Sequence, residues 1–204
     1  MENNRMIKTA NGLDKLFKIL RTLIAVALVV MFAVLTALTI ANWVNPATVI
    51  GTDLELVDIG PFTLELAQEH RPDNGTVLRY AWAYAAMGAV AAIAMHYALG
   101  VVRSILAPMK QGQPFCQSVC DDLKKLGVVS IVLGVIANIG AAAEALSMLR
   151  ICGLADLVGG EVIRSVRVNV EFDLTFLAVF FVLMLVRYIF QYGVELQHLS
   201  DETL

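Results

Sequence analysis

Three cysteines, a histidine, an amide, a carboxylate and a guanidinium are the residues of this 204-residue chain whose chemistry could reach beyond packing. Cys116 and Cys120 are four apart, which puts both thiols on one helical face. No histidine or third thiol accompanies them, so a zinc site is not expected. A membrane thiol oxidoreductase needs cysteine pairs on the oxidising face, and only Cys152 falls there by the topology argued below. His96, Asn138, Glu144 and Arg187 lie inside apolar runs. Polar groups there are costly and become functional candidates, so these four form a candidate intramembrane polar site.

Each of the four also has a structural reading. Glu144 and Arg187 differ by roughly 10 Å in depth at about 1.5 Å per residue, too far for a direct ion pair. Arg187 can run its stem to the inner headgroups, and Glu144 can meet Arg150 or an arginine of the outer loops. His96 reads as a neutral, hydrogen-bonded residue and Asn138 as a bond between helices. A proton or ion path would need stacked ionisable groups and broken helices, yet the run interiors hold no proline. Gly88, Gly134 and Gly140 read as close helix packing. No nucleophile with its base and no metal triad can be assembled, so catalytic, cofactor and metal sites are not expected and the chain reads as non-enzymatic.

The elements that carry these residues are four apolar runs, at about residues 22–44, 80–102, 126–149 and 174–192. Each is long enough to cross a hydrocarbon core of about 30 Å as a helix. With 58% apolar residues and 16% charged, against about 25% charged in soluble domains, the composition agrees. The expected fold is all-α, a four-transmembrane-helix bundle in a single membrane domain over residues 1–204. The first run is too long for a signal-peptide core of about 7–15 residues and reads as an uncleaved span.

Basic residues set the orientation, because they resist translocation. Arg5, Lys8, Lys15, Lys18 and Arg21 precede the first run, and Arg103, Lys110, Lys124 and Lys125 fill the loop 103–125. The other connections, 45–79 and 150–173, hold Arg71 and Arg79, then Arg150, Arg164 and Arg167. Both termini and the loop 103–125 are therefore expected in the cytoplasm. In the outer loops, Leu54, Leu56, Phe62, Leu64 and Leu66 alternate with polar residues around Gly60-Pro61, and Val166, Val168, Val170 and Phe172 alternate in the same way. This period of two predicts strands, and three strands sharing an apolar face would give a small extracytoplasmic β cap built from both loops.

On the inner side, Pro108, Gly112 and Pro114 predict a break in the second helix. Val119, Leu123 and Leu126 then predict a short interfacial helix feeding the third span, with Phe115 against the bundle floor. The chain closes on Phe190, Gln191, Tyr192, Gly193, Val194, Glu195, Leu196 and Gln197, and the tail 193–204 carries Glu195, Asp201 and Glu202 with no basic residue after Arg187.

These two segments resemble those of the DUF2975 family of bacterial four-span membrane proteins. The family's inner loop is similar to K-x-G-x-P-F followed by L-x-x-x-G, matched here by Lys110, Gly112, Pro114, Phe115, Leu123 and Gly127. Its end is similar to F-x-Y-G-x-E-L-Q followed by D-x-T-L, matched by Phe190, Tyr192, Gly193, Glu195, Leu196, Gln197, Asp201, Thr203 and Leu204. Members often carry Ser or Thr after the Phe, a good helix cap, where this chain has Cys116. The resemblance implies a multi-pass protein of the bacterial cytoplasmic membrane, and since members of the family are often encoded beside a small helix-turn-helix regulator, it suggests by analogy such a regulator as partner. On that reading, Lys110, Gly112, Pro114, Phe115, Tyr192, Gly193, Glu195, Leu196, Gln197 and Asp201 are candidate partner-docking residues. The protein would be a regulatory or scaffold partner in the bilayer that binds no nucleic acid directly, with room for a homo-oligomer. The alternative is an envelope sensor holding a small solute or lipid beneath the outer cap, near Glu144.

Overall fold

The computed structural model describes residues 2–45, 56–59, 62–65, 73–113, 115–151 and 172–202. Among the described residues four helices dominate: α1 (Glu2–Val44), α2 (Asn74–Lys110), α3 (Gln117–Ile151) and α4 (Thr175–Glu202). All four are long and apolar enough to cross a membrane. Their large side chains point outward, with Val29, Phe181 and Leu185 exposed by 70%, 67% and 62%, while the largest fully buried side chains among the described residues are Val119 and Cys120. So many exposed apolar groups would be untenable in water and are at home against acyl chains.

Each helix outruns its apolar run. α1 is helical from Glu2, about 20 residues ahead of the run at 22, and the expected short interfacial helix is instead the opening turns of α3. Pro108 lies within α2, which ends two residues later at Lys110. The stop is a Schellman motif: Gln113 N–H donates to Pro108 O (3.0 Å), Gly112 N–H to Met109 O (3.2 Å), and Gly112 takes a φ of 75°. Glycine is needed there because a side chain disfavours that left-handed backbone.

Carboxylates start two helices. Asp73 accepts the Thr76 N–H (3.0 Å) and Thr76 hydroxyl (2.5 Å) ahead of α2, and Asp173 accepts the Thr175 N–H (2.8 Å) at α4. Hydrogen bonds from Thr76 hold the Asp73 carboxyl below its ordinary range, and those from Thr175 do the same for Asp173.

The expected β cap is not supported. The described sheet has two antiparallel strands, β1 (Leu56–Ile59) and β2 (Phe62–Glu65), in register Leu56 to Glu65 and Ile59 to Phe62. Residues 152–171 of the second loop lie outside the described residues, and two four-residue strands make only a hairpin, which is marginal in water. Period-two patterning can mark a strand, but it does not name the strand's partner.

The chain divides into two compact units, residues 1–28, 89–137 and 173–204 in one, and 29–88 and 138–172 in the other. In the first, aromatic and thioether groups of α4 fill glycine gaps on α3. A Cβ on Gly134 would overlap the Phe176 ring, and one on Gly127 would come within 2.7 Å of Met184 Cε and 3.1 Å of Phe180. Gly193 of α4 likewise receives the ring of Phe115. In the second unit, Trp82 Nε1 donates to the Thr39 hydroxyl (3.0 Å), its ring lies 6.0 Å from Phe32, and Tyr84 hydrogen-bonds Ser147. Gly140 there meets Met87, whereas among the described residues nothing lies within 4 Å of a Cβ at Gly88, so the packing expected of it is not seen there.

Candidate functional site at the loop and the chain ends

The first unit gathers its polar side chains where α1 begins, α2 ends and α3 begins. Asp14 of α1 is gripped by two cations of α2: Arg103 Nε at 2.7 Å on Oδ1 and Lys110 Nζ at 2.6 Å on Oδ2. Residues 103 and 110 are two helical turns apart, so both reach the same side of α2. The Asp14 side chain is 19% exposed, and with both oxygens engaged it ties α1 to the end of α2.

A second rung joins α2 to α3. Ser104 Oγ donates to Asp122 Oδ2, and Lys125 Nζ meets Asp122 Oδ1 at 2.7 Å. Asp122 is buried, so its charge depends on these donors. A third rung lies between α1 and α2, where Arg21 Nε–H donates to His96 Nε2 (2.6 Å) and the guanidinium covers Gly100. As an acceptor, that nitrogen carries no proton. Polar contacts thus tie α1 to α2 and α2 to α3 along about four turns of α2, from His96 to Lys110, where apolar packing alone would leave three lipid-compatible cylinders.

The loop closes onto α4 through Phe115. Its ring packs at a tilt against Phe190, 5.5 Å between centroids, and occupies the space a Gly193 side chain would need. Cys116 caps α3 through its carbonyl, which accepts the Val119 N–H (3.1 Å), while its sulfur lies 3.0 Å from Ser118 Oγ.

The candidate docking residues therefore separate into two groups. Lys110, Gly112, Phe115 and Gly193 are structural, as clasp, turn, knob and hole. Tyr192, Glu195, Leu196 and Gln197 are exposed on α4, Tyr192 by 63% and Leu196 by 49%. Pro114 and the side chain of Asp201 lie outside the described residues.

His96 and Arg187 belong to the first unit, and Asn138 and Glu144 to the second. Glu144 is exposed, and its carbonyl accepts the Ser147 hydroxyl (2.9 Å). Arg187 is half-buried beside Cys120, and its Nε is covered without a hydrogen bond among the described residues.

Asp14, Ser104 and Asp122 were not singled out from the sequence. Asp14 had a signal, as a lone acid within the basic stretch from Arg5 to Arg21. Asp122 had a weaker one, three residues before Lys125. Compared with family models, curated proteins and solved structures, the chain matches none.

Proposed function

We infer that this is a non-enzymatic regulatory or scaffold protein of the bacterial cytoplasmic membrane, with both termini cytoplasmic, acting through the end of α4. The observation that carries this reading is the tail helix. After Tyr192, α4 continues to Glu202 and exposes Leu196 (49%) and Leu199 (60%), flanked by exposed Glu195 and Glu202. Val194, Glu195, His198 and Leu199 line an open groove of about 380 Å³ on this segment. An acidic helix with an apolar stripe complements a basic, partly apolar surface, which is the chemistry of a DNA-recognition helix. A partner held this way would be kept from its operator by competition for the same cations.

The partner we favour is a small helix-turn-helix regulator, in keeping with the resemblance to the DUF2975 family. The alternative, a sensor holding a small solute or lipid beneath an outer cap, rests on a cap that the described residues do not support. The test is affinity capture from native membranes with the intact protein and with a form truncated after Tyr192. A DNA-binding protein retained by the intact form alone is expected. Retention by both forms, or by neither, would remove the tail from the reading.

A further inference from the structure

Two lysines at the start of the apolar stretch of α3 belong to a groove distinct from the tail. Tyr97 of α2 and Asp121, Lys124, Lys125, Val128 and Val129 of α3 line an open cleft of about 400 Å³ within the first unit. Its charged end is unusual in sign. Lys125 spends one N–H on Asp122 (2.7 Å), and those two charges offset each other. Lys124, which has no hydrogen bond or ion pair among the described residues, and the exposed Asp121 remain, one cation and one anion three residues apart. That spacing sets their Cβ atoms about 5–6 Å apart, the scale of a small zwitterionic headgroup.

The remaining lining, Val128 and Val129, is apolar, and exposed apolar side chains follow it along both helices. Val128, Val132 and Val135 are exposed by 50%, 44% and 44% on one face of α3, and Tyr97, Ile93 and Val90 by 53%, 63% and 54% on one face of α2. From Lys125 to Val135 the rise is about 15 Å, half of a hydrocarbon core of about 30 Å, which is the depth of one leaflet. Basic pockets between spans at the membrane surface are where lipid headgroups are held, and a tyrosine at that level is amphipathic in the same sense.

We propose that this groove is a binding site for one aminophospholipid, its phosphate on Lys124, the free N–H groups of Lys125 and the Tyr97 hydroxyl, its ammonium on Asp121, and an acyl chain along Val128, Val132 and Val135. An anionic lipid without an amine meets the same lysines but is repelled by Asp121. The charge pattern therefore selects the zwitterion.

The experiment is native mass spectrometry of the full-length protein in detergent, with equimolar phosphatidylethanolamine and phosphatidylglycerol of identical chains. One retained phosphatidylethanolamine per protein is expected. Lys124→Ala should weaken its retention about fivefold. Asp121→Asn should abolish the preference over phosphatidylglycerol while leaving a lipid bound. Both side chains are exposed, so unchanged thermal unfolding is expected of both variants. Equal retention of the two lipids by the unaltered protein would overturn the proposal, as would indifference to both substitutions. Efficient competition by soluble glycerophosphoethanolamine would show a headgroup site with no lipid requirement. A disulfide between two Val128→Cys copies in native membranes would assign the groove to a second protein chain.

Discussion

The contact between Phe115 and Gly193 gives the sharpest quantitative test of how the loop is held. A Cβ added at Gly193 would lie 2.5 Å from Phe115 Cδ1 and 2.8 Å from Cε1, where carbon atoms are at rest at about 3.5–4.0 Å. The ring or the helix must yield by about 1 Å, and overpacking of that kind costs about 1–3 kcal/mol. Against this, alanine is favoured over glycine inside a helix by about 1 kcal/mol. Gly193→Ala should therefore be destabilising by between about 0 and 2 kcal/mol while Phe115 is present.

The sign reverses once the ring is gone. In a Phe115→Ala background the same substitution meets no ring and should stabilise by about 1 kcal/mol. Phe115→Ala alone should cost about 2 kcal/mol, less than the loss of a fully buried phenylalanine, because Phe115 is 42% exposed. The coupling between the two positions is then about 1–3 kcal/mol. Equilibrium unfolding of the four proteins in mixed micelles, followed by circular dichroism, measures it as a double-mutant cycle. Additive effects within about 0.5 kcal/mol would refute the knob-and-hole contact.

Two further outcomes follow from the charged rungs and the helix starts. Asp14→Asn removes the charge shared by Arg103 and Lys110 and should free the first turns of α1, raising the rate of tryptic cleavage at Lys8, Lys15 and Lys18 by roughly threefold to tenfold; an unchanged cleavage rate would mean that packing alone holds α1. Asp73 and Asp173 have depressed folded pKa values, so their stabilisation is complete above the ordinary 3.8 and is lost as pH falls through the lowered values. Faster amide exchange at Thr76 and Thr175 below that pH is expected in the parent, and Asp→Asn at both sites, which keeps an acceptor without a titrating charge, should flatten the dependence.

The four helices were legible because a membrane span needs nothing but length and apolar composition, and both are properties of consecutive residues. What lay outside that signal was the extension of every helix beyond its apolar run. Residues 2–21 of α1 are half charged or polar with no apolar run to mark them, yet Asp14 and Arg21 find partners on α2 that fix the helix by tertiary contact. The turn after α2 was readable from Gly112, since its glycine has a backbone cause. Gly134 and Gly140 were readable as packing positions, whereas Gly88, also within an apolar run, meets no side chain among the described residues. Sequence shows where a small residue permits a close approach, and only the facing helix decides whether one is made.

The facing of α3 and α4 also relocates Arg187 and accounts for the tail. If the runs 126–149 and 174–192 were level, residue 126 would stand opposite 192. Instead Gly134 receives Phe176, Gly127 receives Phe180 and Met184, Cys120 lies near Arg187, and Phe115 meets Phe190 and Gly193. That is a slide of α4 by about ten residues, or about 15 Å, towards the loop. Arg187 then shares its level with the residue before Asp121, Asp122, Lys124 and Lys125, a belt that hydrocarbon would not tolerate. Its guanidinium needs no long reach to find polar surroundings. The slide also carries Tyr188 to Glu202 past that belt. An α4 of 28 residues, barely longer than a span, thereby projects about four helical turns beyond it, with Leu196 and Leu199 exposed. The glycine gaps of α3 determine how far α4 slides, and the slide determines how much acidic helix projects beyond the belt.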